Sequence, residues 1–406
     1  MPCKILNIST YDHGGAGSVA YEYNQLLQQL GHQSVLLVQE CKRKGAVFAI
    51  KKSLYHKLKR KLAGLFTKRN SFLYDYHFYN KFEMITPVSA RRILKQCPFK
   101  PDIILLYWVT DFINARVIHK LCKLTGAKIY WLMMDNAPLT GGCHYPWDCT
   151  GYQSTCENCP AIIKVSQKKL AKQVLLFKNK YLPAHMTIVA FSETDYQRAL
   201  SSALARHRRV ARIIGFIDEN KFYPADKRQA KEYWGISPDK KVLFFGAANL
   251  ADKRKGMALL TEAINSLAED LLVMIAGSFE KNLIQKETKV LGFLHEEKLV
   301  KAYQAADLFL CPSLEDSGPM MINQALMCGT PVVAFDTGVA RDLVITGETG
   351  YRARLFDIKD FAKGLKVVLG LDQQSSNNMS KKCRQRALDL CGRDTFVNHL
   401  EKLLAN

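Results

Sequence analysis

The sequence has no apolar run approaching the roughly 20 residues that a membrane-spanning helix needs; its longest, Ile103 to Val109, is strand-length. It has no low-complexity tract and no repeat of solenoid period, which excludes fibrous, disordered and repeat architectures. It is also short of acid. Against 58 Lys and Arg stand 37 Asp and Glu, a formal net charge of +21. The shortage is sharpest from Cys41 to Tyr74, where there is no Asp or Glu among Lys42, Arg43, Lys44, Lys51, Lys52, Lys57, Lys59, Arg60, Lys61, Lys68 and Arg69. Such an excess implies an anionic partner: nucleic acid, anionic membrane or a phosphorylated ligand. No nucleic-acid recognition module accompanies the charge, so nucleic acid is not expected. Residues Met1–Ser9 lack a hydrophobic signal core and read as a first strand, so a cytoplasmic chain is expected.

Within 41–70, Leu54, Leu58, Leu62, Leu65 and Phe66 form an apolar stripe flanked by basic residues. Two readings fit it. One is an amphipathic helix lying on the anionic inner face of the cytoplasmic membrane. The other is a surface helix whose stripe packs on its own domain.

What the 406 residues do contain is two runs of strand–helix alternation. In the first, Lys4–Ser9, Ser34–Val38, Asp102–Trp108, Lys128–Met134 and Thr187–Phe191 are short apolar strands. Val19, Tyr23, Leu26, Leu27 and Leu30 recur at helical spacing and end at Gly31. In the second, Lys241–Gly246, Leu271–Gly277, Lys289–Phe293, Asp307–Pro312 and Pro331–Phe335 are strands apolar on both faces, as buried parallel strands are. The fold class is therefore α/β, with two doubly wound Rossmann-like domains. The boundaries fall at 1–215, which includes the basic segment 41–70 and a Cys-rich insert at 139–162, and at 216–385. A terminal helix over 386–406 has no strand after it and is expected to pack back on the first domain.

Three loops at strand ends are candidate ligand sites, because open parallel sheets bind ligands there. His13-Gly-Gly-Ala-Gly-Ser18 precedes a helix, whose N-terminus favours an anion. Its Gly15-Ala-Gly17-Ser-Val-Ala20 also fits a dinucleotide fingerprint with Glu40 about 20 residues on, which keeps an NAD(P) dehydrogenase among the alternatives. A second wound domain with its own phosphate loop is unnecessary for that chemistry. Asp252-Lys-Arg-Lys-Gly256 offers Arg254 as a fork and Lys255 as a point charge to a diphosphate; the bland alternative is a solvated turn. Glu315-Asp316-Ser317-Gly318-Pro319 opens a helix carrying Gln324. There a carboxylate can accept bonds from sugar hydroxyls, and an amide can pair with a ribose diol. The alternative is an N-cap with an inert helical Gln.

Twelve cysteines without a signal peptide suggest a reducing compartment rather than a disulfide framework. Cys97, Cys122, Cys311 and Cys328 read as small buried hydrophobes. Cys143, Cys149, Cys156 and Cys159, four thiols within 17 residues with His144 adjacent, read as a structural zinc site or as a buried or redox pair.

Asp316-x7-Gln324 with Cys-Gly-Thr-Pro331, the Arg254-Lys-Gly256 loop, Gly14-Gly-Ala-Gly17 and Leu139-Thr-Gly-Gly-Cys-His-Tyr145 together resemble the retaining family 4 glycosyltransferases of the GT-B fold. The similarity is to bacterial enzymes of capsule, O-antigen and colanic-acid assembly. It implies two Rossmann-like domains facing across a cleft, with a UDP- or GDP-sugar held mainly by the C-terminal domain. By that likeness Arg254 and Lys255 bind the diphosphate, and Phe293 and Leu294 flank the nucleobase. Asp316 and Gln324 take the two acidic positions of an E-x7-E motif, one shortened and one neutralised. Ser317, Gly318 and Pro319 present backbone to sugar and phosphate, and Gly15 and Gly17 border the phosphates. Asp135 is the strand-end acid, preceded here by Met134 where the family often has His, and His144 lies on the acceptor side. The acceptor implied is lipid-linked or an oligosaccharide, and no cofactor is needed for catalysis. The altered acidic pair also motivates a different class of function, a nucleotide-sugar-binding scaffold that has lost catalysis.

Overall fold

The computed structural model describes residues 2–50, 71–85, 88–247, 249–278, 283–318 and 320–405. The apolar stripe of Leu54 to Phe66, and Pro319, lie outside the described residues. Internal contacts divide the chain into two units. Unit 1 is Met1–Phe191 with Asp195–Arg212; unit 2 is Ser192–Thr194 with Ile213–Asn406.

Unit 1 is built on β1 (Lys4–Tyr11), β2 (Gln33–Glu40), β3 (Val47–Ala49), β4 (Ile103–Leu106), β5 (Lys128–Leu132), β6 (Thr187–Ala190) and β7 (Arg209–Arg212). They form one parallel sheet in the order β3-β2-β1-β4-β5-β6-β7. The central strands are buried on both faces, which is why Ile5, Leu6, Ile8 and Ile103 to Leu106 read as continuous apolar runs. The one polar residue in the middle of β1, Asn7, is satisfied: its Nδ2 donates to Ser34 Oγ (2.8 Å) and Asn24 Oδ1 (3.1 Å), and Tyr107 Oη donates to its Oδ1 (3.0 Å). The first helix runs Gly14–Gln29. It stops where Gly31 takes a positive φ (+84°) and donates to the Gln28 carbonyl.

Unit 2 carries β8 (Lys241–Gly246), β9 (Leu271–Ala276), β10 (Glu287–Gly292), β11 (Leu308–Cys311), β12 (Val332–Phe335) and β13 (Gly350–Ala353), parallel in the order β10-β9-β8-β11-β12-β13. The strand order reverses between β1 and β4 in unit 1, and between β8 and β11 in unit 2. A wound sheet opens a crevice at each such point, beyond the carboxyl ends of its strands.

The sequence reading missed the edge strands β3, β7 and β13: each is only three or four residues long, and β7 and β13 carry Arg among their apolar residues. The expected boundary at 215 is close to the observed one, but unit 2 begins at Ile213 and also takes in Ser192–Thr194. Both final helices, Gln373–Cys391 and Arg393–Ala405, group with unit 2. Within it, Ile217 N–H donates to the Cys391 carbonyl (2.9 Å), and the Phe216 and Phe396 rings lie 5.7 Å apart. Arg384 donates to the carbonyls of Phe222 and Met327 (2.7 Å each) and Glu219 (3.2 Å).

Candidate functional site

In unit 2 the loops that follow β8 and β11 meet at the switch point. Asp252 caps the single turn Lys253–Lys255: its Oδ1 accepts from the Arg254 N–H (3.1 Å), and its Oδ2 accepts from Arg254 Nε (3.1 Å) and Nη2 (2.7 Å). Arg254 Nη1 donates to the Glu315 carbonyl (3.2 Å), and the Leu314 N–H donates to the Arg254 carbonyl (2.7 Å). Lys255 Nζ donates to Asp316 Oδ2. Arg254 is only 6% exposed, so the guanidinium is a fixed part of the floor rather than a solvated turn. The loops can lie this close because residue 256 is glycine. Its φ is +65°, and a Cβ there would stand 1.9 Å from the Pro312 carbonyl oxygen.

The charges are balanced. Asp252 and Asp316 answer Arg254 and Lys255, so the expected bare cationic pair is instead a preorganised ion-pair cluster. Burial would raise the Asp316 carboxyl, but Lys255 and Arg254, with the Gly318 N–H, hold it below the ordinary carboxylate value. It is therefore an anion at neutral pH.

Around this centre, Gln324, half-buried on the helix Met320–Met327, accepts from Tyr303 Oη (3.0 Å) through its Oε1. Ser317 is buried and its carbonyl accepts from Ser192 Oγ (2.9 Å). Beyond β10, Phe293 stands 79% exposed while its neighbour Leu294 packs on the core. Most of the Phe293 ring therefore lies outside the packing of unit 2, at the carboxyl end of β10.

In unit 1 the carboxyl edge holds a buried polar network. Asp135 follows β5; its Oδ2 lies 2.6 Å from His144 Nδ1, and its Oδ1 accepts from the Ala137 N–H (2.8 Å). His144 Nε2 lies 2.7 Å from Asn80 Oδ1 and 3.4 Å from Thr110 Oγ1. Asn80 Nδ2 donates to Glu83 Oε2 (2.9 Å), which turns its oxygen toward the imidazole. His144 is 1% exposed and Asp135 4%, so the two form a buried pair that fixes each other's orientation. A row of rings borders the network at the switch point: Tyr11 stacks on Trp108 (5.7 Å), Trp108 is tilted against His144 (5.7 Å), and Tyr79 meets His144 edge-on (5.0 Å).

The first glycine loop divides by residue. Gly17 is a packing glycine, since a Cβ there would stand 2.8 Å from the Tyr11 carbonyl oxygen. Gly15 is exposed, and a Cβ there would meet nothing. Asp12, buried just before this loop, accepts from the Lys42 and Arg43 N–H groups (2.8 Å each) and ties it to the end of β2.

Residues 226–386 match the family of glycosyl transferases group 1. That match covers the β8 and β11 loops and all the unit 2 residues named above for this site except Ser192. The fold of both units is that of GT-B glycosyltransferases. The structure of Anabaena HepE in complex with UDP and glucose superposes with a TM-score of 0.65 over 99% of both chains at 14% identity. That of WaaG, a glycosyltransferase involved in lipopolysaccharide biosynthesis, gives 0.63 over 98% of both at 14% identity. Among curated proteins, the D-inositol 3-phosphate glycosyltransferase 2 of Catenulispora acidiphila is 29% identical over 182 residues, 40% of this chain and 42% of that one. The chain spans less than half the length of the first curated relatives it matches.

The group 1 match does not reach the four clustered cysteines, which belong to unit 1. Cys143, Cys149, Cys156 and Cys159 line one small cavity with Phe78 and Tyr152. All twelve cysteines are free thiols. Among the described residues, no three or more His, Cys, Asp and Glu side chains stand in the arrangement of a metal-binding set. The four thiols thus surround a cavity without standing as a ready ligand set.

The sequence reading does not single out Asn80, Thr110 or Tyr303, and it names Asp252 and Glu315 only as members of their loops, without their bonds to Arg254. Asp252 had a local signal, an Asp two residues before the Arg of a short turn. The others act through partners far away in sequence.

Proposed function

We propose that the protein is a retaining glycosyltransferase that moves a hexosyl group from a UDP- or GDP-sugar to a lipid-linked or oligosaccharide acceptor in surface polysaccharide assembly. The observation that carries the reading is the meeting of Arg254, Lys255 and Asp316 at the unit 2 switch point. The match to glycosyl transferases group 1 over that segment supports it, as do the UDP and glucose in the HepE structure and the involvement of WaaG in lipopolysaccharide biosynthesis.

In this reading the donor diphosphate displaces Asp316 from Lys255 and takes the ammonium as its own counter-ion. Arg254, held in place by Asp252 and the Glu315 carbonyl, adds charge without reorganising. The anomeric C–O bond breaks with its electron pair going to the diphosphate. The acceptor oxygen bonds to the anomeric carbon on the same face, and its proton passes to a diphosphate oxygen. These two cations meet the leaving-group charge without a divalent metal. Asp316, released, accepts from sugar hydroxyls; Gln324 bonds the ribose; Phe293 and Leu294 flank the base; and Ser317, Gly318 and Gly15 offer backbone to phosphate. On the unit 1 side Asp135, held by His144, addresses the acceptor hydroxyl, and the ring row suits the C–H face of a pyranose. The basic segment 41–70 would hold the chain on the inner face of the cytoplasmic membrane.

The test is the double variant Arg254→Ala/Lys255→Ala, assayed for transfer and for stabilisation by UDP-, GDP- and ADP-sugars. Loss of both in a folded protein is expected; full turnover in the folded variant would refute the assignment.

A further inference from the structure

We propose that the four thiols of Cys143, Cys149, Cys156 and Cys159 take up one zinc ion, which locks the loop that carries His144. The site lies in unit 1 and does not depend on the transferase reading.

Several features of the loop point the same way. The four side chains, spread over 17 residues, converge on a single cavity of about 10 Å³. That is about one water-sized sphere, too small for an organic ligand. A water needs two to four polar partners, and four sulfurs among Phe78, Pro146 and Ala171 supply poor ones. A soft cation is the occupant that thiols suit.

The chain is also shaped to bring the sulfurs together. A Cβ at Gly141 would stand 2.3 Å from the Ala171 carbonyl oxygen and 3.0 Å from Cys156 Cβ. Cys156 itself takes a positive φ (+54°), rare for a side chain of any size. Backbone N–H groups already point at sulfur. Gly151 donates to Cys149 Sγ (3.4 Å), Gly141 donates to Cys156, and Ala161 and Ile162 donate to Cys159. Such bonds favour thiolates, the form that binds metal.

A counter-charge is close by. Lys178 is fully buried and donates to the carbonyls of Ala137 (2.6 Å) and Thr140 (3.1 Å), on the stretch that leads into Cys143. Four thiolates on a divalent ion carry a net charge of −2, and an ammonium at this position offsets part of it. The sulfurs surround the cavity without forming a ligand set, so binding requires them to close to the roughly 2.3 Å of a Zn–S bond. The ligand side chains would turn about χ1 inside a loop that is already folded.

The experiment uses the full chain, purified reduced and without chelator from zinc-supplemented medium. Elemental analysis is expected to give about one zinc per chain, falling at least fivefold in Cys156→Ser/Cys159→Ser. Should that variant not fold, cobalt(II) added to wild-type protein stripped of metal is the second measurement. Tetrahedral d–d bands with a thiolate-to-cobalt charge-transfer band are expected, bleached by added zinc. Zinc well below one per chain with no cobalt spectrum would overturn the proposal. So would iron with acid-labile sulfide, or a mass showing two disulfides.

Discussion

Lys255 and Asp316, 61 residues apart, form an ion pair across the junction where β8 and β11 lie side by side. The pair fixes the Asp316 carboxylate and presents the Lys255 ammonium at the ligand edge of unit 2. It also makes the site responsive to acid.

The folded-state value of Asp316 is held below its ordinary one by Lys255 and Arg254 against the pull of burial. A group depressed in this way contributes stability above its unfolded value, about 3.9, and that contribution is lost as pH falls through the lower folded value. The melting temperature of wild type is expected to exceed that of Asp316→Asn between about pH 5 and pH 8, and the gap is expected to close below about pH 4. A gap that stays constant down to about pH 3 would sink the assignment.

Gly256→Ala is expected to destabilise the protein by about 1–3 kcal/mol, the cost of forcing a strained backbone at φ +65° against Pro312. It should also abolish the UDP-sugar shift by moving Arg254 and Lys255. Gly15→Ala meets no atom and is expected to change stability by less than about 0.5 kcal/mol. If Gly15 borders the donor phosphates, that variant alone weakens nucleotide binding without a stability change. Thermal denaturation with and without nucleotide separates the two.

Phe293→Ala should leave the melting temperature within about a degree, because the ring is mostly exposed. Loss of stacking on a base costs roughly 1–3 kcal/mol, so donor affinity should fall about five-fold or more. Calorimetry with the free nucleotide checks this; unchanged affinity would remove Phe293 from the site.

His144→Ala should cut transfer at least about ten-fold, with donor KM little changed, because Asp135 loses the partner that orients it. Its unfolding free energy should fall by about 2–4 kcal/mol, since Asp135 and Asn80 lose a buried partner. A variant of normal activity would show that Asp135 needs no such support.

The sequence was legible where structure follows from neighbours along the chain. Strand–helix alternation set the fold class; Gly31 marked the end of the first helix; the Asp252 to Gly256 turn and the Asp316 loop were readable as ligand edges. The glycines were only half legible: Gly17 and Gly256 look alike in sequence, yet one admits a helix against a strand and the other admits one loop against another. Asn80 carried no signal, because its partner His144 is 64 residues away.

Local preference by itself determined the elements, the parallel character of the sheets and the kinds of side chain at the strand ends, since each depends on periodicity and turn chemistry within a short stretch of chain. Tertiary structure alone decided which ends meet. Strand order is set by how sheets pair and helices cover them, and it put β11 beside β8 on the side away from β9. That adjacency turned two separately ambiguous loops into one site.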